Sequence, residues 1–276
     1  MAVSRHRVEL RLIWFSLFVS GTLVSLEKAR ALVIRQADFS NTSRVVTFFT
    51  REFGKVAVVA KGAKRLKGPF DSALDLLTES QISFIRKSTG GLDILTEAKL
   101  TQRFRPQSGD MPGLYSSYYL AELLDSLSEP YDIHEALYDE AVLALARLQG
   151  TEKPGTAADH RLTVLRFELS ILREIGQLPE LESCTSCGRL LTGESILGLK
   201  VSQGGLVCSA CLEQDGHVRQ VTGGAGAILR VLAQPEDSAW QRLAPSPAQS
   251  QELRAIATAI ISHTLGRVPR TLRYLN

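Results

Sequence analysis

The chain has 276 residues, of which 44% are hydrophobic and 22% are charged. This composition is ordinary for a globular protein and excludes wholesale disorder, and the length allows two or three small units. The net charge of +3 is unevenly spread, since residues 1–110 hold 18 Lys and Arg against 10 Asp and Glu, whereas residues 111–276 hold 14 against 19. We therefore expect any polyanion to be met by the N-terminal part of the molecule.

The first residues imitate the start of a secretory signal. Arg5, Arg7 and Arg11 precede the apolar run Leu12–Val19, and a charged head before an apolar stretch is typical of such signals. The run is too short to span a bilayer. Against export stands a thiol set without surplus cysteines, which is expected of a reducing cytosol. We interpret residues 1–23 as a dispensable N-terminal extension from an over-extended start, and expect a cytoplasmic, nucleoid-associated protein with no membrane partner.

Short β-rich runs separated by turn signals fill residues 24–106. β-Branched and aromatic residues recur in each run, and Gly, Pro, Ser or Asn mark the gaps. The runs are Ala31–Ile34, Arg44–Phe49, Val56–Val59, Ile82–Ile85 and Leu92–Leu95. Such closely spaced short strands predict a small closed or partly closed β-barrel, for which the OB-fold is the natural candidate.

A basic segment joins the third and fourth predicted strands. Its glycines let the backbone approach a phosphate chain, and its cations can displace the counterions of a nucleic acid. The alternative is a solvated hairpin tip. The candidate DNA-binding residues are the four cations of this segment and three others nearby in sequence, namely Lys61, Lys64, Arg65, Lys67, Arg44, Lys55 and Arg86.

Phenylalanines in the same region could supply stacking faces for unpaired bases. The candidates are Phe48, Phe49, Phe53, Phe70 and Phe84. Most phenylalanines of a small barrel fill its core, so we expect one or two of them at most to be exposed.

From residue 107 onward the apolar residues recur at steps of three and four, which is typical of helices. The stripes and predicted helices are Leu114–Leu127, Ala136–Leu148, Leu162–Leu172, Ala225–Ala233 and Pro247–Leu265. We interpret residues 107–181 and 223–276 as two parts of one helical domain. The stripes are most simply the core of a bundle, and we assign them no chemistry.

All four cysteines fall into two CxxC pairs, Cys184 with Cys187 and Cys208 with Cys211. Two such pairs can complete a tetrahedral sulfur shell around one ion, each pair seated in its own hairpin turn, and four sulfurs leave no position for an activated water. The spacing therefore predicts one structural Zn²⁺ in a ribbon over residues 182–222. Two disulfides or four unrelated buried thiols are the alternatives. The expected fold class is α+β: an N-terminal OB-fold barrel, then a helical-bundle domain with an inserted four-cysteine zinc ribbon.

No catalytic residue is predicted. The sequence contains neither a Gly-x-Ser-x-Gly elbow nor a His-Glu-x-x-His motif, which would indicate a serine hydrolase or a zinc hydrolase. The glycine-rich run Gly223–Gly226 precedes a predicted helix and could seat a phosphate. It lacks the preceding strand and the downstream acid of a dinucleotide site, so we interpret it as a linker leaving the ribbon.

Taken together, the chain resembles the bacterial RecO family of DNA repair and recombination mediators, from about residue 25 to residue 275. Four stretches carry the resemblance: Ala29–Arg35, Asn41–Thr50, the loop Lys61–Arg65 with Pro69 and Phe70, and Gly266–Leu275. The cysteine quartet is similar to that of the zinc-bearing branch of the family.

The resemblance implies a non-enzymatic protein that binds single- and double-stranded DNA and anneals complementary strands. It also implies work with RecR to load RecA onto DNA coated by single-stranded-DNA-binding protein, SSB. A pocket for the acidic tail of SSB is a further implication of the resemblance. The arginines considered for its lining are Arg166, Arg173, Arg267, Arg270 and Arg273.

Two other classes of protein stay open at this point. An RNA- or ribosome-binding zinc-ribbon protein would have a similar composition, and titration with DNA and structured RNA would separate the two. An NAD-dependent protein deacylase also uses two cysteine pairs around zinc, but it places its glycine-rich cofactor loop before them in a doubly wound sheet. Release of nicotinamide from NAD would reveal such an enzyme.

Overall fold

The computed structural model describes residues 24–65, 70–88, 90–149, 157–213, 218–235 and 238–275. The interpretation of residues 1–23 and the prediction for Lys67 fall outside these ranges. Within them, no helix is both long enough and apolar enough to cross a membrane.

Five strands close into the predicted barrel. They are β1 (Val24–Asp38), β2 (Arg44–Thr50), β3 (Gly54–Ala60), β4 (Thr78–Lys87) and β5 (Asp93–Arg103). Their order around the barrel is β1-β2-β3-β5-β4, with β3 and β5 parallel and the other neighbours antiparallel. The expected OB-type barrel at the N-terminus is confirmed.

Strand β1 is much longer than its apolar run predicted. Residues 24–32 pair with β4 and residues 31–38 pair with β2, so one strand serves two neighbours in succession. Its middle, Ala31–Ile34, is buried on both faces. Ala31 and Val33 belong to the barrel core, whereas Leu32 and Ile34 belong to the core shared with the helices.

The helical part contains α1 (Met111–Leu127), α2 (Glu135–Gln149) and α3 (Ala157–Glu174), followed after the cysteine module by α5 (Gly223–Ala233) and α6 (Pro247–Leu265). All five predicted helices are present. Side-chain caps begin several of them: Asp110 accepts from the Gly113 amide, and Ser246 forms a capping box with Gln249, which satisfies amides that have no partner within the helix.

Between α3 and α5 lies a three-stranded sheet with a short helix. Strands β6 (Ile196–Lys200), β7 (Gly205–Cys208) and β8 (Arg219–Thr222) pair in the order β7-β6-β8, and α4 (Ser209–Glu213) follows β7 directly. Apolar residues of this module, including Leu197 and Leu206, belong to the same core as the helices.

Polar contacts also join the barrel to the helices. The Arg51 guanidinium is 3.1 Å from the Asp139 carboxylate and 2.7 Å from that of Glu135 on α2. The Tyr138 hydroxyl donates to the buried Glu79 carboxylate of β4 at 2.9 Å. Barrel and helices are therefore fastened by a common apolar core and by ion pairs at its edge.

Candidate nucleic-acid interface and metal centre

The turn between β1 and β2 meets the basic segment after β3 at one end of the barrel. In the register of the sheet, Asp38 lies opposite Arg44, and Arg44 lies opposite Ala60. The Lys64 amide donates to the Thr42 carbonyl at 3.1 Å. We call residues 38–44 and 61–65 together the basic hairpin end.

The basic hairpin end holds four cations and one acid, and two of the cations have no carboxylate partner among the described residues. Asp38 is shared by Lys64, at 2.9 Å, and by Arg44, at 3.7 Å, and the hydrogen bond from Lys64 lowers the pKa of Asp38. Lys61 and Arg65 are exposed, and among the described residues no carboxylate lies within 4.0 Å of either. Four cations against one acid leave this surface positive.

Two of the predicted DNA-binding residues lie elsewhere. The Lys55 ammonium donates to the Asp125 carbonyl of α1 at 2.7 Å, and burial lowers the pKa of Lys55. Arg86 stacks on the Tyr131 ring, with 3.9 Å between the guanidinium carbon and the ring centroid. The Lys55 contact lies where the barrel meets α1, and the Arg86 contact lies where it meets the segment linking α1 to α2. The structure thus groups Arg44, Lys61, Lys64 and Arg65, but not Lys55 and Arg86.

The phenylalanines chosen from the sequence serve the core. Phe48, Phe49, Phe70 and Phe84 are buried, and Phe53 packs edge-on against Phe84 with ring centroids 5.6 Å apart. Among the described phenylalanines the exposed ring is that of Phe39, which is 59% exposed in the turn of the basic hairpin end. Its signal in the sequence was a single apolar residue in the polar turn Asp38–Asn41.

The four cysteines converge on one point. Their sulfurs all lie within 4.8 Å of one another, and the Cys187 and Cys208 sulfurs are 3.9 Å apart. Four sulfurs at about 2.3 Å from a tetrahedral Zn²⁺ would be about 3.8 Å apart. All four cysteines are free thiols, so the spacing fits a metal ion better than it fits disulfides.

Local hydrogen bonds favour the thiolate form of Cys184. Cys184 and Cys187 lie in a turn closed by the Gly188 amide on the Cys184 carbonyl at 2.8 Å. Burial opposes ionisation of Cys184, but amides led by that of Cys208 outweigh burial and lower its pKa to about 6. The second pair differs from the expected hairpin turn. Cys208 ends β7 and Cys211 lies in α4, so this pair occupies a strand-to-helix junction.

The glycine-rich run is a packing feature. A Cβ at Gly223 would lie 1.9 Å from the Glu194 carbonyl oxygen, and one at Gly226 would lie 2.7 Å from a Leu197 methyl group. These glycines let α5 approach the cysteine module closely. The linker interpretation is wrong, because these residues form the first turn of α5 and strand β8 directly precedes them. The Gly223 amide donates to the Ser195 carbonyl at 2.8 Å and the Ala225 amide donates to the Thr222 hydroxyl at 3.2 Å, so these two amides are used within the protein.

An arginine-lined groove of about 630 Å³ runs between α6, β8 and the C-terminal segment. Arg161, Arg219 and Arg254 line it, together with the apolar side chains of Leu272 and Leu275. A smaller cavity of about 110 Å³, which includes His160, shares Arg161 and Arg254 with the groove. We call these two spaces the arginine groove.

None of the five arginines considered from the resemblance is among the residues that line the arginine groove. Arg267 is 3.3 Å from the Glu122 carboxylate, the Arg270 amide donates to the same carboxylate, and Arg273 lies 4.7 Å from the centroid of the Tyr274 ring. Arg166 is 3% exposed and donates to the carbonyls of Leu232 and Pro235 at 2.5 and 2.6 Å. Arg173 donates to the Ala233 carbonyl at 2.9 Å. These two arginines hold the segment after α5 against α3, so they do not line the groove.

The fold and the cysteine cluster define a class of protein: an OB-type barrel fused to a helical bundle that carries a four-cysteine module able to hold a metal ion. Two family descriptions match the chain, "Recombination protein O N terminal" over residues 24–104 and "Recombination protein O C terminal" over residues 108–273. The chain belongs to the RecO family of DNA repair proteins.

Curated relatives agree with this assignment. The DNA repair protein RecO of Rhodopirellula baltica is 34% identical over 268 residues, covering 89% of this chain and 97% of the relative. The protein of the same name from Anaeromyxobacter dehalogenans is 32% identical over 254 residues, covering 90% and 95%. That of Halalkalibacterium halodurans is 30% identical, covering 74% and 76%. All three relatives are named as DNA repair proteins.

Proposed function

We propose that the protein is a DNA-binding recombination mediator. It binds single- and double-stranded DNA, anneals complementary strands and, with RecR, helps to load RecA onto single strands coated by SSB. It acts on chromosomal DNA in the cytoplasm. Family membership supports DNA repair as the process, and the division into a barrel over residues 24–106 and a helical domain over 107–181 and 223–276 is part of the proposal.

The observation that carries the proposal is the basic hairpin end. Lys61, Lys64, Arg65 and Arg44 meet where β1 ends, β2 begins and β3 ends, with Asp38 as the one acid of the surface. Cations that replace condensed counterions bind nucleic acid without regard to sequence. Neutralised phosphates also lower the repulsion between two strands, which is what annealing requires.

The test is a titration of the triple variant Lys61→Ala, Lys64→Ala, Arg65→Ala with single-stranded DNA, duplex DNA and structured RNA at several salt concentrations. We expect affinity for both DNAs to fall at least tenfold near physiological salt. The slope of log affinity against log salt should flatten by about 2 to 3, because each lost phosphate contact removes about 0.7 to 0.9.

The matched control is Lys28→Ala, Lys99→Ala, Arg242→Ala. It removes the same charge from exposed positions outside the basic hairpin end and should bind almost as tightly as the unaltered protein. An equal loss of DNA affinity in the two triple variants would contradict the proposed interface. Preference for structured RNA over both DNAs would favour the RNA-binding alternative instead.

We also propose that the cysteine cluster holds one structural Zn²⁺. Cys184, Cys187, Cys208 and Cys211 would be its ligands, and a complete sulfur shell leaves the ion without an open catalytic position. The ion would fasten the turn after α3 to the junction of β7 and α4.

For SSB, we propose the arginine groove as the docking site of the acidic tail. Arg161 and Arg219 are exposed, and among the described residues no carboxylate lies within 4.0 Å of either. Leu272 and Leu275 add apolar surface beside them. Positive charge beside an apolar floor suits a peptide that is acidic and partly apolar.

A further inference from the structure

Phe39 is exposed in a turn whose backbone is held by several hydrogen bonds. The Phe39 and Ser40 amides both donate to the Ser43 carbonyl, at 3.1 and 3.2 Å, and the Ser43 amide donates to the Ser40 hydroxyl at 3.2 Å. These bonds close the turn between β1 and β2 beneath the ring. The other described phenylalanines are buried or packed against a core.

One cation of the basic hairpin end, Lys64, lies beside Phe39. The Lys64 ammonium contacts the residues on both sides of Phe39, namely Asp38 at 2.9 Å and the Ser40 carbonyl at 3.3 Å. The Lys64 amide holds the Thr42 carbonyl two residues further on. An exposed aromatic face thus projects from the same small surface that presents charge to a phosphate chain.

We propose that Phe39 stacks on an unpaired base of single-stranded DNA whose phosphates lie on Lys61, Lys64 and Arg65. This inference rests on the proposed function and deepens it, since it assigns a preference between two forms of DNA. Aromatic side chains accept any base because every base has a π face. In a duplex both faces of an internal base are covered by neighbouring pairs, so the ring has no partner there and only the cations contribute.

The decisive measurement compares Phe39→Ala with the unaltered protein on single-stranded and duplex DNA of the same length and sequence. We expect Phe39→Ala to weaken single-strand binding by about 5- to 100-fold, as for other stacked bases, while duplex affinity changes less than about twofold. The salt slope should stay unchanged, because the phosphate contacts are intact. Phe39→Trp should retain single-strand affinity, and its indole fluorescence should be quenched by single strands.

The matched control is Leu143→Ala, which trims an apolar residue of similar exposure, 51%, on α2 and should alter neither affinity. Unchanged single-strand binding, or equal losses on both DNAs, would overturn the assignment of Phe39. Measuring Lys64→Ala, Arg65→Ala in the same series separates the two levels of inference. If the affinity of that variant for both DNAs is unchanged, the proposed interface itself is wrong. If its affinity for both falls while Phe39→Ala has no effect, only the stacking role is refuted.

Discussion

Arginines around the groove differ in what compensates their charge. The Arg254 guanidinium pairs with Glu168, which is fully buried and also accepts from the Tyr119 hydroxyl at 2.5 Å. Burial acts to lower the pKa of Arg254, but the Glu168 carboxylate outweighs burial and raises that pKa. The charge of Arg254 is therefore largely neutralised by Glu168. Arg161 and Arg219 supply the uncompensated positive charge of the groove.

The double variant Arg161→Ala, Arg219→Ala should bind a peptide with the acidic SSB tail about tenfold more weakly or worse. Each lost charge-assisted hydrogen bond is worth about 1.5–3 kcal/mol. Fluorescence anisotropy of a labelled tail peptide measures the effect, with Lys99→Ala, Arg242→Ala as the control of equal charge. Affinity for DNA should not change. A tail peptide that binds the variant as well as it binds the unaltered protein would place the partner elsewhere.

The sequence predicts where the cations cluster along the chain better than it predicts which groups they contact. It found the basic segment because four cations between two strands are visible without a fold. It could not separate Lys55 from this group, since only the packing of α1 shows that the Lys55 ammonium is used by the Asp125 carbonyl. The burial of Arg166 could not be predicted either. Its guanidinium donates to carbonyls of residues more than sixty positions away in the chain.

At the scale of elements, the C-terminal segment depends on one acid of α1. The Glu122 carboxylate accepts from the Arg270 and Thr271 amides, both at 2.8 Å, and from the Thr271 hydroxyl at 2.6 Å. Burial acts to raise the pKa of Glu122, but these hydrogen bonds, led by that of Thr271, lower it below its usual value. The segment they anchor carries Leu272, which lines the arginine groove.

Glu122→Gln should lower the stability of the protein by about 1 kcal/mol at neutral pH, because the charged acceptor is lost. A carboxylate with a depressed pKa stabilises the fold above its unfolded pKa and loses this effect as the pH falls through its folded pKa. The difference between variant and unaltered protein should therefore shrink in acid. Urea unfolding at pH 7 and pH 4 tests this, with the exposed Glu129→Gln as control; a difference that grows in acid would refute it.

The extents of helices and strands could be predicted to different degrees. Helices α5 and α6 follow their apolar stripes closely, because caps and prolines in the sequence mark where they begin. Strand β1 exceeded its predicted length because its first half pairs with β4 through exposed polar residues. A half-exposed strand with few apolar residues gives little periodic signal.

At the scale of the whole molecule, the cysteine module is not an appendage. Cys184 and Cys208 belong to the same apolar core as α1, α3 and α6, and so do Leu197 and Val221 of the module. A metal ion held by the four sulfurs would therefore stabilise packing well beyond them. The module was visible in the sequence from the spacing of the cysteines alone, whereas its union with the helical core was not.

Cys187→Ser should release the metal and unfold the C-terminal part of the molecule rather than remove a DNA contact, since structural zinc contributes about 10–16 kcal/mol in small modules. Zinc content by atomic spectroscopy and limited proteolysis are the measurements, and Ser186→Ala is the neighbouring control. Less than half an equivalent of zinc in freshly purified unaltered protein, or a Cys187→Ser variant as resistant to protease as the control, would argue against a structural ion.

The seam between β-barrel and helices has a geometric outcome for the assembly of a repair complex. Arg51 pairs with two acids of α2, and the Tyr138 hydroxyl donates to Glu79, so polar contacts add to the shared apolar core in holding the barrel against the helices. A DNA strand bound by the barrel and an SSB tail bound by the helical part would consequently be held at a constant distance and orientation from each other. The protein would then fix the position of the DNA relative to the bound tail. Weakening the contacts between barrel and helices would disturb that position even with every ligand contact intact.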